Sequence, residues 1–156
     1  NNRYRYESPN ATYLAGINSN LTYNNFDFSF SGRLSLGNYV YNNLLSERAR
    51  YSNVYNTNGF FNNVPSAITD TNFSNAQYLS DYYVQDASFF KMDYISAGYN
   101  FKQLLDNKLQ ARIGITVRNA FTITDYSGID PEVNGGIDNN IYPRPRIFML
   151  NVGFTF

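Results

Sequence analysis

Residues 125–156 read DYSGIDPEVNGGIDNNIYPRPRIFMLNVGFTF, and their final third decides the fold. Phe148, Leu150, Val152, Phe154 and Phe156 share one parity, while Ile147, Met149, Asn151, Gly153 and Thr155 share the other. A period of two gives a β-strand with unlike faces, here one apolar and one carrying small and polar groups. Soluble sandwiches and membrane barrels both use such strands, so the neighbouring segments must decide.

Working back, residues 109–124 alternate most clearly. Leu109, Ala111, Ile113, Ile115, Val117, Phe121 and Ile123 face one way; Gln110, Arg112, Thr116, Arg118, Thr122 and Thr124 face the other. Residues 88–101 form a further strand with a flaw. Phe90, Met92 and Tyr94 make its first apolar set, and Ile95, Ala97, Tyr99 and Phe101 the second. One inserted residue flips parity, so a β-bulge is expected near Tyr94 and Ile95. Residues 26–41 alternate Phe26, Phe28, Phe30, Leu34, Leu36 and Val40 against Asp27, Ser29, Ser31, Arg33 and Ser35. Residues 12–23 form a weaker strand, joined to the next by Asn24-Asn25, a pair suited to a tight turn. The last strand spans 142–156.

The expected fold is therefore all-β, an antiparallel up-and-down meander of five long strands. Its connections alternate short (24–25 and 102–108) with long (44–86 and 125–141). That is the pattern of outer-membrane barrels, and each segment supplies the roughly 9–11 residues a tilted membrane strand needs. Tyr23, Phe26, Phe28, Tyr99, Phe101, Phe154 and Phe156 gather near the short-turn ends like an interfacial girdle. An arginine facing lipid at mid-depth costs about 2–4 kcal/mol. Asn18, Asn20, Arg33, Arg112, Thr116 and Arg118 are accordingly expected to face the barrel lumen. A soluble sandwich with a polar outer face stays open on this argument.

Composition narrows the function. The 156 residues include 15 Tyr and 13 Phe but no Cys, His or Trp. Disulfides and thiolate metal sites are excluded, and the commonest general base is missing. Charge is sparse at 15% and balanced, against the basic face that nucleic acid would favour. Mean hydropathy of −0.43 does not argue against a barrel, whose strands are apolar on one face only. The start at Asn1, without an initiator Met, suggests a piece of a longer chain. Asp130, Glu132 and Asp138 fit no EF-hand spacing and read as turn residues rather than metal ligands. No enzyme, cofactor or metal is expected.

Three segments carry a family resemblance. Tyr126-Ser127-Gly128-Ile129-Asp130-Pro131-Glu132-Val133, with Tyr142-Pro143-Arg144-Pro145-Arg146 closing the run that starts at Gly136, resembles the C-terminal signature of the SusC/RagA family of TonB-dependent outer-membrane transporters. Residues 117–124 (VRNAFTIT) and 87–101 (ASFFKMDYISAGYNF) resemble the two strands before it. The resemblance implies the last portion of a barrel of about 22 strands, with a plug and a TonB box upstream. It implies a SusD-like lipoprotein partner, TonB-driven uptake of glycans or peptides, and placement in outer-membrane lipid. Phe154 and Phe156 match the aromatic end read by the barrel-assembly machinery. A passive porin and a soluble sugar-binding β-sandwich are the alternatives.

Overall fold

The computed structural model describes residues 4, 6–55, 59–104 and 109–155, with 103 and 104 as backbone only. Phe156 and most of the 102–108 connection lie outside them. The chain divides into two compact units. A strand unit comprises 13–36, 89–124 and 144–156; a loop unit comprises 1–12, 37–88 and 125–143.

The strand unit is one antiparallel sheet. Its strands are β1 (Tyr13–Tyr23), β2 (Phe26–Leu36), β5 (Phe89–Leu104), β6 (Leu109–Thr124) and β8 (Ile147–Thr155), neighbouring in that order. All pairings are antiparallel, as the alternation predicts. The register lines up apolar residues across the sheet: Leu21–Phe28–Ala97–Ile115–Leu150 is one such row. The next row, Asn20–Ser29–Ser96–Thr116–Met149, lies on the opposite, mostly polar face. Apolar side chains on the first face stand open, among them Ile115, Leu150 and Phe148. Among the described residues β1 and β8 do not pair with each other, so these five strands form an open sheet.

The expected bulge is present beside Tyr94, at Asp93: Ser31 faces Tyr94 while Gly32 faces Met92. What needs correction is the face given to Tyr94. Tyr94 therefore joins the polar face, and the apolar set runs Phe90, Met92, Ile95, Ala97, Tyr99. The last strand also begins at Ile147, not Tyr142, because Pro143 and Pro145 lack the N–H groups a ladder requires.

The segment 26–41 is not one strand. β2 ends at Leu36, and Gly37 turns the chain with φ 76°. A Cβ there would collide with the Thr12 side chain, so only glycine fits the corner. Beyond it the loop unit builds a second sheet from β3 (Tyr39–Asn42), β4 (Val84–Asp86) and β7 (Ile137–Asp138). β3 pairs antiparallel with β4 and parallel with β7. The stretches read as loops thus carry two and three residues of strand, plus helices α1 (Asn43–Arg48) and α2 (Ile68–Thr71).

Candidate functional site

Ion pairs mark the polar face of the strand unit. Arg112 grips Asp27 with two donors, its Nε reaching Oδ1 at 3.0 Å and its Nη2 reaching Oδ2. The Asn100 amide donates to the same Oδ1 at 2.8 Å. Asp27 and Arg112 lie on β2 and β6, so the pair spans β5 between them. It can do so because it crosses diagonally, Asp27 facing Gly98 and Arg112 facing Asn100, and a Cβ on Gly98 would fall 2.5–2.8 Å from the guanidinium and carboxylate. Gly114 leaves room on the other side of the same guanidinium. The second pair joins Arg33 Nε to both Asp93 oxygens at 3.1 Å. The bulge at Asp93 places this carboxylate against Arg33.

The remaining polar-face candidates are dispersed. Thr116 shares hydrogen bonds with Ser96 at 2.9 Å and with Asn151 at 3.1 Å. Arg118 lies opposite Tyr94 and Ile147. Asn18 and Asn20 are exposed opposite Ser31 and Ser29. The structure thus gathers Arg112 with Asp27, Asn100 and two glycines, and Arg33 with Asp93, rather than forming one cluster. Lys91, opposite Arg33 and almost fully buried, is a charged member of this face that its polar parity could have singled out.

The signature segment does different work. Tyr126 is buried with Val40 and Ala87, and its hydroxyl donates to the buried Asp138 at 2.8 Å. Burial, reinforced by this carboxylate, pushes the phenol's pKa well above its usual range. Gly128 permits this packing, because a Cβ there would overlap the Tyr126 ring. Ser127 donates to Gln85 Oε1 at 2.7 Å and receives the Asn42 amide at 3.4 Å. Asp130 accepts from the Glu132 N–H, and Asp138 from the Asn140 N–H. Pro131 is buried, whereas Tyr142 through Arg146 are exposed. Among the described residues no group of three or more His, Cys, Asp or Glu side chains is placed to hold a metal.

Asn119 is the residue that sequence reasoning missed. It takes a left-handed φ of 50°, and its amide donates to the carbonyls of Arg144 at 2.9 Å and Pro145 at 3.3 Å. It therefore holds the proline-rich approach to β8. Its signal was available: among the odd positions from Leu109 to Ile123 it alone is polar. Asn119→Ala is expected to cost about 1–2 kcal/mol, from positive-φ strain plus lost hydrogen bonds. Asn119→Gly should recover the backbone part only. Urea midpoints of the full-length protein would separate the two.

No protein-family model matches the chain. It is 39% identical over 99% of its length to the TonB-dependent receptor SusC of Bacteroides thetaiotaomicron, of which it spans 16%. It is 30% identical over 95% of its length to the TonB-dependent receptor P3 of Formosa agariphila, spanning 17% of that protein. Among solved structures it resembles the RagAB peptide transporter, with a TM-score of 0.72 at 18% identity, over 94% of this chain and 17% of that one. The RagAB peptide importer in its open-open state gives 0.69 at the same identity, over 92% and 17%.

Proposed function

We propose, because this chain belongs to the SusC/RagA family of TonB-dependent outer-membrane receptors, that it lines part of the import channel of such a receptor. The observation that carries the proposal is identity of 39% to a TonB-dependent receptor along practically the whole chain. The face bearing Asp27–Arg112 and Arg33–Asp93 is assigned to the lumen, where Asn18, Asn20, Thr116 and Arg118 accompany it. The open apolar face is assigned to lipid, because unpaired charge there would cost several kcal/mol per residue (about 2–4 at mid-depth). The row Tyr23–Phe26–Tyr99 near the Asn24-Asn25 turn, with Tyr99 and Phe101 rings 4.7 Å apart, suits an interfacial girdle.

The loop unit is assigned to the extracellular side. There the whole receptor would work with a SusD-like lipoprotein to take up oligosaccharides or peptides. TonB would act through regions beyond this chain, and the barrel-assembly machinery would read the Phe154 and Phe156 end. No step calls for catalysis. The test is uptake of labelled oligosaccharides and peptides by the native host with and without TonB. Loss of receptor-dependent uptake on TonB deletion is expected. Undiminished uptake would favour a passive porin.

A further inference from the structure

The chain enters the short strand β7 through a three-residue 3-10 turn, Asn134–Gly136. We propose that Asn134 is a site of spontaneous deamidation, and that its isoaspartate product loosens the loop unit. Asparagine is among the thermolabile residues. The deprotonated main-chain nitrogen of the next residue attacks the side-chain carbonyl carbon and expels ammonia, closing a succinimide. Water then opens that ring at either carbonyl, leaving aspartate or isoaspartate. The net change consumes one water and releases one ammonia, with no oxidation or reduction. The turn suits this route. Asn134 and Gly135 are both exposed, so water and hydroxide reach the amide. Gly135 has no side chain to shield its nitrogen, and a Cβ built there meets nothing within 4 Å, which leaves room for the ring. Gly135 also departs from helical geometry at φ 81°, so the turn ends instead of extending as a helix that would fix the Asn134 backbone. Asn119 is the opposite case: two carbonyls hold its amide, and Ala120 follows it. Asn58-Gly59 repeats the Asn-Gly pair in sequence, but Asn58 lies outside the described residues.

An isoaspartate link routes the chain through the former side chain and adds a methylene between residues 134 and 135. The residues that follow are tightly placed. Gly136 is buried against Pro9, where even a Cβ would fall 2.5 Å from the proline's own Cβ. Ile137 and Asp138 then pair with Tyr41 and Asn42, and Asp138 accepts the Tyr126 hydroxyl among the buried residues of this unit. Lengthening the chain just ahead of these contacts displaces the Pro9 packing, the β3–β7 pairing and the Tyr126–Asp138 bond together. The modification therefore acts on the joint that holds segments 37–88 and 125–143 to each other.

The experiment incubates purified full-length protein in heavy-oxygen water at mildly alkaline pH and growth temperature, beside a synthetic peptide covering 129–140. Peptide mapping with electron-transfer fragmentation separates the asparagine, aspartate and isoaspartate forms of position 134. Hydrogen exchange follows the loop unit. Asn134 in the folded protein is expected to convert within about tenfold of the peptide's rate, with heavy oxygen in each product from the ring opening. Protein carrying isoaspartate should exchange faster over 37–88 and 125–143. Asn134→Gln, whose longer side chain closes the corresponding ring far more slowly, should keep the exchange of fresh protein after the same incubation. Any of three results overturns the proposal: the peptide converts while the folded chain keeps its amide, the converted protein exchanges like the fresh one, or Asn134→Gln loosens on incubation as much as the parent.

Discussion

Ile115→Arg is expected to destabilise the full-length receptor by about 2–4 kcal/mol in bilayers, while Thr116→Arg next to it costs little. Ile115 sits mid-strand in the apolar row, flanked by Ala97 and Leu150, and its side chain is open to whatever medium covers that face. If lipid covers it, the guanidinium must be desolvated or drag water inward. Thr116 points the other way, between Ser96 and Met149, where an added arginine stays hydrated among polar groups. Denaturant unfolding of the two variants, refolded into vesicles, provides the comparison. Equal costs, or a reversed order, would sink the assignment of faces and reopen the soluble sandwich.

The second large effect lies in the loop unit. Tyr126→Ala should remove about 3–5 kcal/mol from that unit, the range for deleting a buried aromatic side chain. Tyr126→Phe keeps the ring but removes the donor to Asp138 Oδ2, leaving Oδ1 with the Asn140 N–H, a penalty of about 1–3 kcal/mol. Hydrogen exchange followed by mass spectrometry should show peptides from 37–88 and 125–143 opening faster, with the five-stranded sheet unchanged. Exchange rising equally in both units would refute the local role. The same phenol gives a pH signature. Its pKa is raised in the fold, so the folded state holds the proton more tightly than the unfolded chain does. The stabilisation is complete below about pH 10, the ordinary tyrosine value, and declines as pH climbs above it.

Particular residues show why some of this was legible in sequence and some was not. Arg112 beside Ile113 declared both faces of β6, because alternation held over 16 residues fits a two-faced strand and no helical period. The bulge was visible as a parity flip, yet parity alone could not say whether Asp93 or Tyr94 was the insertion. Arg33 decided it, by taking Asp93 as its partner. The Asp27–Arg112 bond was hidden because it depends on register across three strands, and no single segment encodes that. The loop unit was hidden for a different reason. Strands such as Ile137–Asp138 are too short to display a period, and Tyr39–Asn42 kept the parity of β2 across the Gly37 corner. The signature residues were picked out by resemblance; that Tyr126 and Asp138 bond each other required coordinates.

The loop unit's construction also bears on the order of assembly. Its three pieces are separated along the chain by the long strands. Asn43 reaches Asn139 across 96 residues at 2.6 Å, and β3 meets β7 in parallel over a similar interval. Contacts so distant are entropically expensive until intervening hairpins have drawn the ends together. Hairpins β1–β2 and β5–β6 can close locally, whereas the small mixed sheet must wait for them. Consolidation of this unit is therefore a late event, and a protease added during refolding should cut within 44–86 well after the hairpins have become resistant.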